Sequence, residues 1–170
     1  QPKQKLIHIY SDGEPIGKVF RTDFGLIADP AAVLTDLAAH PRVVSSARES
    51  WRSSINEFVR EFQRFTSPEP NDAVDFGKVV VSIAAQAPDD AIITTDAGNM
   101  STWVHRHWVM TPKNTLLGAI AGAMGFGVPT AVAAAIVDST RMAITFVGDG
   151  GILMTGQEIA TAMHEGAHPI

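Results

Sequence analysis

Two rhythms of apolar residues run along the chain. In Arg48–Phe65, the residues Trp51, Ile55, Phe58, Val59 and Phe62 recur at helical spacing, which predicts an amphipathic helix. By contrast, Ala91–Thr95 (AIITT) and Met142–Val147 (MAITFV) are short apolar runs without alternation. Such runs read as strands buried on both faces, as in a parallel sheet covered by helices. Around them the pattern predicts a helix over Ala73–Ala87, with Val79, Val80, Ile83 and Ala87 inward. A turn and helix follow over Asp96–Trp108, and an Ala-rich helix starts at Pro129 and runs to Val137. The stretch TPKNTLL before Gly118 has no convincing strand pattern, and Gly118–Val128 reads as a glycine-rich loop.

The first residues have a different texture. Lys5–Tyr10 alternates and reads as a strand, and Ser11–Gly17 (SDGEPIG) is turn chemistry. Asp29-Pro30 starts a short helix through Ala31–His40, which Pro41 ends. This opening is too short to bury a core of its own and reads as the tail of another domain. Thr66–Asp72 (TSPEPND) reads as a linker. The expected fold class is therefore α/β: a partial doubly wound parallel sheet with helices on both faces, preceded by the tail of another α/β domain. The expected segments are 1–45, a helix and linker over 46–71, and the sheet domain over 72–170. Both ends read as cut.

Composition narrows the classes. With 45% apolar and 18% charged residues the chain fits an ordinary globular protein. A net charge of −5 argues against a nucleic-acid partner. The absence of cysteine excludes a disulfide framework and a thiolate metal site, and fits a cytoplasmic location. No targeting segment is visible, and the weakly polar Leu116–Val137 carries four glycines and a proline, so no membrane span is expected.

The chemistry concentrates in Phe146–Gly166 (FVGDGGILMTGQEIATAMHEG). Thr155 and Glu158 have capping-box spacing, which predicts a helix starting near Gly156. Ile159, Ala162 and Met163 would face inward, Gly166 would end the helix, and Pro169 would forbid its continuation. The G-D-G turn thus falls at the carboxyl end of a strand and on the approach to a helix N-terminus, where open α/β sheets bind ligands and backbone N–H groups favour an anion. A carboxylate beside a phosphate makes sense if a divalent cation bridges them, so Asp149 is a candidate Mg²⁺ ligand. Gly148, Gly150 and Gly151 would permit the tight turn and close backbone approach. By itself, G-D-G more often describes a turn with a solvated aspartate.

Other residues weigh less. Met124 alone reads as a core methionine. His164 and His168 are separated by the helix-ending Gly166, and His105 and His107 point to different faces. Trp103 and Trp108 read as packing or subunit-contact residues. Asp96, ending a strand, is expected to orient a loop by accepting hydrogen bonds from backbone N–H groups rather than to act in catalysis.

FVGDGGILMTGQEIATAM resembles the diphosphate-binding signature of thiamine diphosphate-dependent enzymes, nearest to their acetolactate synthase-like (pyruvate oxidase/decarboxylase) branch. Two further segments resemble that family in the same order: IITTDAGNMSTWVHRHW (Ile92–Trp108) and AGAMGFGVPTAVAAA (Ala121–Ala135). The opening resembles the closing part of the family's middle domain. The resemblance implies an internal piece of a larger thiamine diphosphate- and Mg²⁺-dependent enzyme acting on 2-keto acids by decarboxylation, carboligation or both. It implies a lyase or transferase, assembled as a homo-oligomer (dimer or tetramer), with this chain alone inactive. It implies Asp149 as the metal ligand, and Gly98, Asn99, Ser101, Met124, Gly148, Asp149, Gly150 and Gly151 around the cofactor. Met124 matches the residue that props the cofactor in a bent shape. Met100 and Ser101 stand where the synthases commonly carry His and Gln, a departure from strict synthase identity. No catalytic residue is expected in this chain, since the family's glutamate lies in an N-terminal domain. A second Mg²⁺ ligand, an asparagine expected after Asp149, has no counterpart here.

Two alternatives compete. One is a non-catalytic subunit-contact module. The other is a dinucleotide-binding oxidoreductase domain, for which GAIAGAMGFG offers glycines but TPKNTLL offers no preceding strand.

Overall fold

The computed structural model describes residues 3–42, 45–66 and 73–170. Most of the expected linker, 67–72, lies outside the described residues. The chain divides into two compact units, residues 1–52 and 53–170.

In the first unit, β1 (Ile7–Tyr10) pairs in parallel with β2 (Phe24–Ile27), with Ile7 opposite Phe24 and Tyr10 opposite Ile27. The sequence did not suggest β2, whose four residues are mostly exposed and show no period. Asp23 helps to seat the pair by accepting from the Leu6 N–H (2.8 Å). Helix α1 (Pro30–Ala39) starts as expected: Asp29 is its N-cap, accepting from the Ala31 N–H (2.7 Å), and Pro30 sits in the first turn. Helix α2 (Ser46–Gln63) belongs to this unit only as far as Arg52 and continues into the second, and its apolar stripe is exposed at Trp51, Phe58 and Phe62.

The second unit is built on three parallel strands: β3 (Ile92–Thr95), β4 (Thr115–Gly118) and β5 (Ala143–Phe146), in the order β4-β3-β5. All four residues of β3 are buried, as its unbroken apolar pattern required. Helices α3 (Phe76–Ala84) and α4 (Asn99–His107) cover one face, where Val80, Ile93, Val104, Trp108, Ile144 and Phe146 form the main core. Trp108 and Phe76 meet the Phe146 ring edge-on, at 6.1 and 6.2 Å between centroids. Helix α5 (Gly127–Val137) and the last helix, Glu158–Glu165, cover the other face through Val128, Val132 and Ala162. At the amino ends of the strands, Arg141 donates from Nε to the Asp90 carbonyl (2.6 Å) and from Nη2 to the Lys113 carbonyl (3.2 Å) and Thr115 Oγ1 (2.9 Å).

Two sequence expectations need correction. The stretch before Gly118 is a strand, β4, paired with β3 from Ile92–Thr115 to Thr95–Gly118. It sits at one end of the strand order, with Leu116 and Gly118 exposed, so it never needed the apolar run that marks a central strand. A loop, 119–126, nevertheless separates β4 from α5, unlike the tight strand-to-helix turn of a dinucleotide site. The second correction concerns the G-D-G segment. Its helix, α6 (Asp149–Thr155), starts at Asp149 itself, and α7 (Glu158–Glu165) follows after a break at Gly156-Gln157. Thr155 and Glu158 form no capping box. The Thr155 hydroxyl donates to the Gly125 carbonyl (2.9 Å), and Glu158 accepts from Thr161 (2.8 Å). Of the three residues expected inward on α7, only Ala162 is buried, while Ile159 and Met163 are exposed. Gly166 ends α7 in the left-handed conformation, φ 63°, as expected. Beyond it, Ile170 exchanges hydrogen bonds with Ala143 and Thr145 of β5 (2.9 and 2.7 Å).

Candidate functional site

The chain leaves the carboxyl end of β3 into α4 on one face and that of β4 into α5 on the other. Adjacent parallel strands whose connections depart to opposite faces leave a crevice between their carboxyl ends. A cleft of about 280 Å³ lies there, lined by Thr95 to Gly98 after β3, by Gly118, Ala119 and Gly122 after β4, and by Ser101 and His105 of α4. His105 Nε2 lies 3.4 Å from Thr95 Oγ1 at its wall. A larger cavity, about 450 Å³, lies around Phe62, Trp103 and Arg106. Its guanidinium is already engaged, 4.2 Å above the Phe62 ring and bonded to the Phe62 carbonyl (2.9 Å), and it includes no carboxylate.

Three turns meet at the strand ends. The first runs from Asp96 to Asn99. Gly98, at φ 154°, is the N-cap of α4, a conformation side chains rarely adopt. Asn99 is exposed, and Ser101 donates from Oγ to the Gly98 carbonyl (2.7 Å). The second turn is the glycine-rich loop to Gly127. The third is Gly148–Gly151, with Gly148 as N-cap of α6 and Asp149 its first residue. Asp149 is exposed, and its Oδ1 accepts from the Gly150 N–H (2.9 Å).

Side chains tie the turns together. Asp96 is 2% exposed, and its carboxylate accepts from the N–H groups of Gly125 (2.9 Å), Phe126 (3.0 Å) and Ala97 (3.0 Å). This is the loop-orienting geometry expected of it. The glycines are there to admit these contacts: a Cβ on Gly151 would stand 1.8 Å from Asp96 Oδ2, and one on Gly127 3.0 Å from Thr145 Oγ1. The second and third turns also touch through Met124, which is 48% exposed; its methyl lies 2.7 Å from where a Gly150 Cβ would be. The Met100 thioether lies over the first and third turns, its sulfur 2.7 Å from a Gly98 Cβ position and its methyl 3.5 Å from that of Gly148.

The structure brings most of the residues singled out in the sequence to the carboxyl ends of the strands, in two groups. Gly98 and Ser101 lie at the cleft; Met124, Gly148, Asp149, Gly150 and Gly151 lie around the third turn. Asn99 stands exposed at the head of α4. Sequence reasoning missed the contacts of Thr155 and Met100. The first was hidden by a plausible cap, and the second is a contact between segments distant in the chain. His105 was correctly separated from His107, which turns instead to the Gln63 carbonyl (3.0 Å), Trp103 and Phe65.

Among the described residues, no three His, Asp or Glu side chains cluster as a metal centre. The donor set therefore fits one hard oxygen ligand, the exposed Asp149 carboxylate, for an ion completing its shell with phosphate oxygens and water. The Gly148–Gly151 backbone, with no Cβ on three of its four residues, fits the close approach of an anion.

Comparison with known proteins decides the lineage. The family described as thiamine pyrophosphate enzyme, C-terminal TPP binding domain, matches residues 96–170, which begin at Asp96 and hold all three turns. Residues 96–170 belong to the thiamine pyrophosphate enzymes. The chain is 33% identical over 162 residues to the acetolactate synthase isozyme 1 large subunit of Escherichia coli K12, covering 95% of this chain and 28% of that protein. It is 30% identical over 156 residues to the acetolactate synthase large subunit of Lactococcus lactis subsp. lactis IL1403, covering 91% of this chain and 27% of that one. The chain therefore spans little more than a quarter of the relatives it matches. In fold it is similar to a thiamine diphosphate-dependent 4-hydroxybenzoylformate decarboxylase from Rhodococcus jostii RHA1, at a TM-score of 0.61 and 21% identity over 95% of this chain and 28% of that chain. The parallel α/β fold and the thiamine pyrophosphate class expected from the motifs both hold. Among the described residues, no helix is long and apolar enough to cross a membrane.

Proposed function

We propose that this chain supplies the diphosphate- and Mg²⁺-binding part of an acetolactate synthase-like enzyme that decarboxylates 2-keto acids, ligates the product to an acceptor, or both. The observation that carries the reading is the convergence of three glycine turns at the carboxyl ends of β3, β4 and β5, with one exposed carboxylate, Asp149, on the last of them. When bound, thiamine diphosphate supplies the carbanion and electron-sink chemistry of such reactions.

The chain's own residues bind and orient. Asp149 would give Mg²⁺ one carboxylate oxygen, and the Gly148–Gly151 backbone would take the diphosphate oxygens. Gly98, Asn99 and Ser101 would border the same anion from the head of α4. Met124, standing over Gly150, would offer the cofactor an apolar support. In this reading residues 1–45 close a middle domain, 46–71 connect, and 72–170 begin the cofactor domain. Homo-oligomeric assembly and a 2-keto acid substrate belong to the same proposal. Acetolactate synthase relatives at 30–33% identity support it over other thiamine diphosphate reactions.

Calorimetric titration of thiamine diphosphate into the full chain, with and without Mg²⁺, tests the reading. Mg²⁺-dependent binding that Asp149→Ala abolishes is the expected result. Binding indifferent to both Mg²⁺ and Asp149 would refute the assignment of the metal to that carboxylate. No binding by wild-type chain shown to be folded by circular dichroism would refute the site.

A further inference from the structure

Three turns drawn from separate stretches of chain can hold one ligand only if something keeps them in common register. Two side chains close a ring that does so. Asp96, at the end of β3, accepts from the Gly125 N–H through Oδ2 (2.9 Å) and from the Phe126 N–H through Oδ1 (3.0 Å). The carbonyl of the same Gly125 accepts from Thr155 Oγ1 (2.9 Å), in the last turn of α6. Thr155 Oγ1 also lies 3.5 Å from the carbonyl of Gly151, in the first turn of α6. Gly151 completes the circuit, its bare Cα packed so closely on Asp96 Oδ2 that a Cβ would stand 1.8 Å from it.

The carboxylate in this ring is buried and sits against backbone donors, with no cation within ion-pair distance among the described residues. Such a group is costly unless its hydrogen bonds are made, so its geometry is held tightly or not at all. Gly125 is fixed on both sides, its N–H by Asp96 and its carbonyl by Thr155. That sets the position of its neighbour Met124 over Gly150.

We infer that Asp96 and Thr155 are positioning residues of the cofactor site: the ring Asp96–Gly125–Thr155–Gly151 holds the glycine-rich loop and the G-D-G turn in one register. Both act through the loop and the turn that they hold. The inference rests on the proposed function for its ligand but not for its geometry.

The test uses the full chain with Asp96→Asn, Thr155→Val and the double substitution. Asparagine keeps the size and one carbonyl oxygen, so one loop N–H loses its acceptor; valine keeps the shape of threonine without its hydroxyl. Three quantities are measured: affinity for thiamine diphosphate with Mg²⁺, melting temperature, and amide hydrogen exchange at Gly125 and Phe126 without ligand. Each single substitution is expected to weaken binding about 10-fold or more and to speed exchange at Gly125 and Phe126 but not within β3 or β5. The double variant is expected to lose less than the product of the two losses, because both cut one ring. Lower melting temperatures with unchanged affinity and exchange would reduce both residues to packing and overturn the inference. Losses that multiply would overturn the ring. Should Asp96→Asn fail to fold, Thr155→Val still decides, since unchanged affinity and Gly125 exchange there overturn the inference. If the wild-type chain binds no cofactor, the proposed function falls. The ring then stands or falls on whether the substitutions speed exchange at Gly125 and Phe126.

Discussion

Gly151→Ala and Gly150→Ala add the same methyl group to adjacent positions of one short helix, and they are expected to have different outcomes. Alanine exceeds glycine in helix propensity by about 1 kcal/mol, so both substitutions start with that gain. At 151 the new Cβ would stand 1.8 Å from Asp96 Oδ2 and 2.9 Å from Val147 Cγ2, and contacts below 3.0 Å essentially never occur. The carboxylate or the start of α6 must then shift by more than an ångström. If Asp96 turns aside, the N–H groups of Gly125 and Phe126 lose their acceptor in a buried setting. Each unsatisfied group costs about 1–3 kcal/mol. Two such groups cost about 2–6 kcal/mol, and against the propensity gain of about 1 kcal/mol the net destabilisation is about 1–5 kcal/mol. At 150 the obstacle is only the Met124 methyl, at 2.7 Å, the free end of a flexible and half-exposed side chain. It can swing away, so Gly150→Ala should be as stable as wild type or more so, by up to about 1 kcal/mol. Urea denaturation of the three proteins, followed by tryptophan fluorescence, gives the differences directly. Equal stability of Gly151→Ala and wild type would refute the role given to Asp96. Destabilisation of Gly150→Ala as large as that of Gly151→Ala would refute the distinction between a rigid and a yielding neighbour.

Two other outcomes follow from the geometry. Arg141→Ala removes the side chain that joins the approaches to all three strands and should cost about 1–3 kcal/mol in the same urea assay, with cofactor affinity unchanged because the residue lies at the opposite strand ends. The Thr140 hydroxyl, donating to Asp138 Oδ1 at 2.6 Å, holds the Asp138 carboxyl below its ordinary value of 3.8, with help from the Thr140 N–H and the Arg141 charge. A depressed folded-state value means that the contribution is present above the unfolded value and is lost as pH falls through the folded one. Thr140→Ala should therefore raise the Asp138 titration midpoint, measured by NMR, and narrow the difference from wild type only in strong acid.

The legible parts of the fold were those where burial is symmetric. Strands β3 and β5 announced themselves because both faces are covered, leaving no room for alternation. Strand β4 did not, since an end strand with alternate residues exposed carries only half that signal, and two of its four residues are Thr and Gly. Strand β2 is short and exposed, with no pattern to read. In the site, Asp149 and its glycines stood out through their place after a buried strand and the two further motifs in the same order, since G-D-G alone more often marks a turn. Asp96 was legible from its place after a strand, although its three donors were not. Thr155 was misread because a threonine three residues before a glutamate is a local signal, while its partner, Gly125, lies thirty residues away. The Met100 contact with Gly148 is of the same kind, set by the tertiary fold rather than by any window of sequence.

The strand order β4-β3-β5 also sets a schedule for folding. Strand β3 meets its near neighbour β4 across a single helix, whereas pairing with β5 must wait until α5 has been threaded across the sheet. The longer closure costs more chain entropy, so the first two turns can take shape before the third arrives. During synthesis, β4 and its loop emerge before Asp149 does. Until β5 docks, Asp96 has its loop amides to hold but no Gly151 against it, and the glycine-rich loop lacks the Thr155 hydroxyl. The strand ends that carry the three turns are therefore completed late, by the step with the most distant contacts, and slow docking of β5 would leave β3 and β4 paired without the third turn.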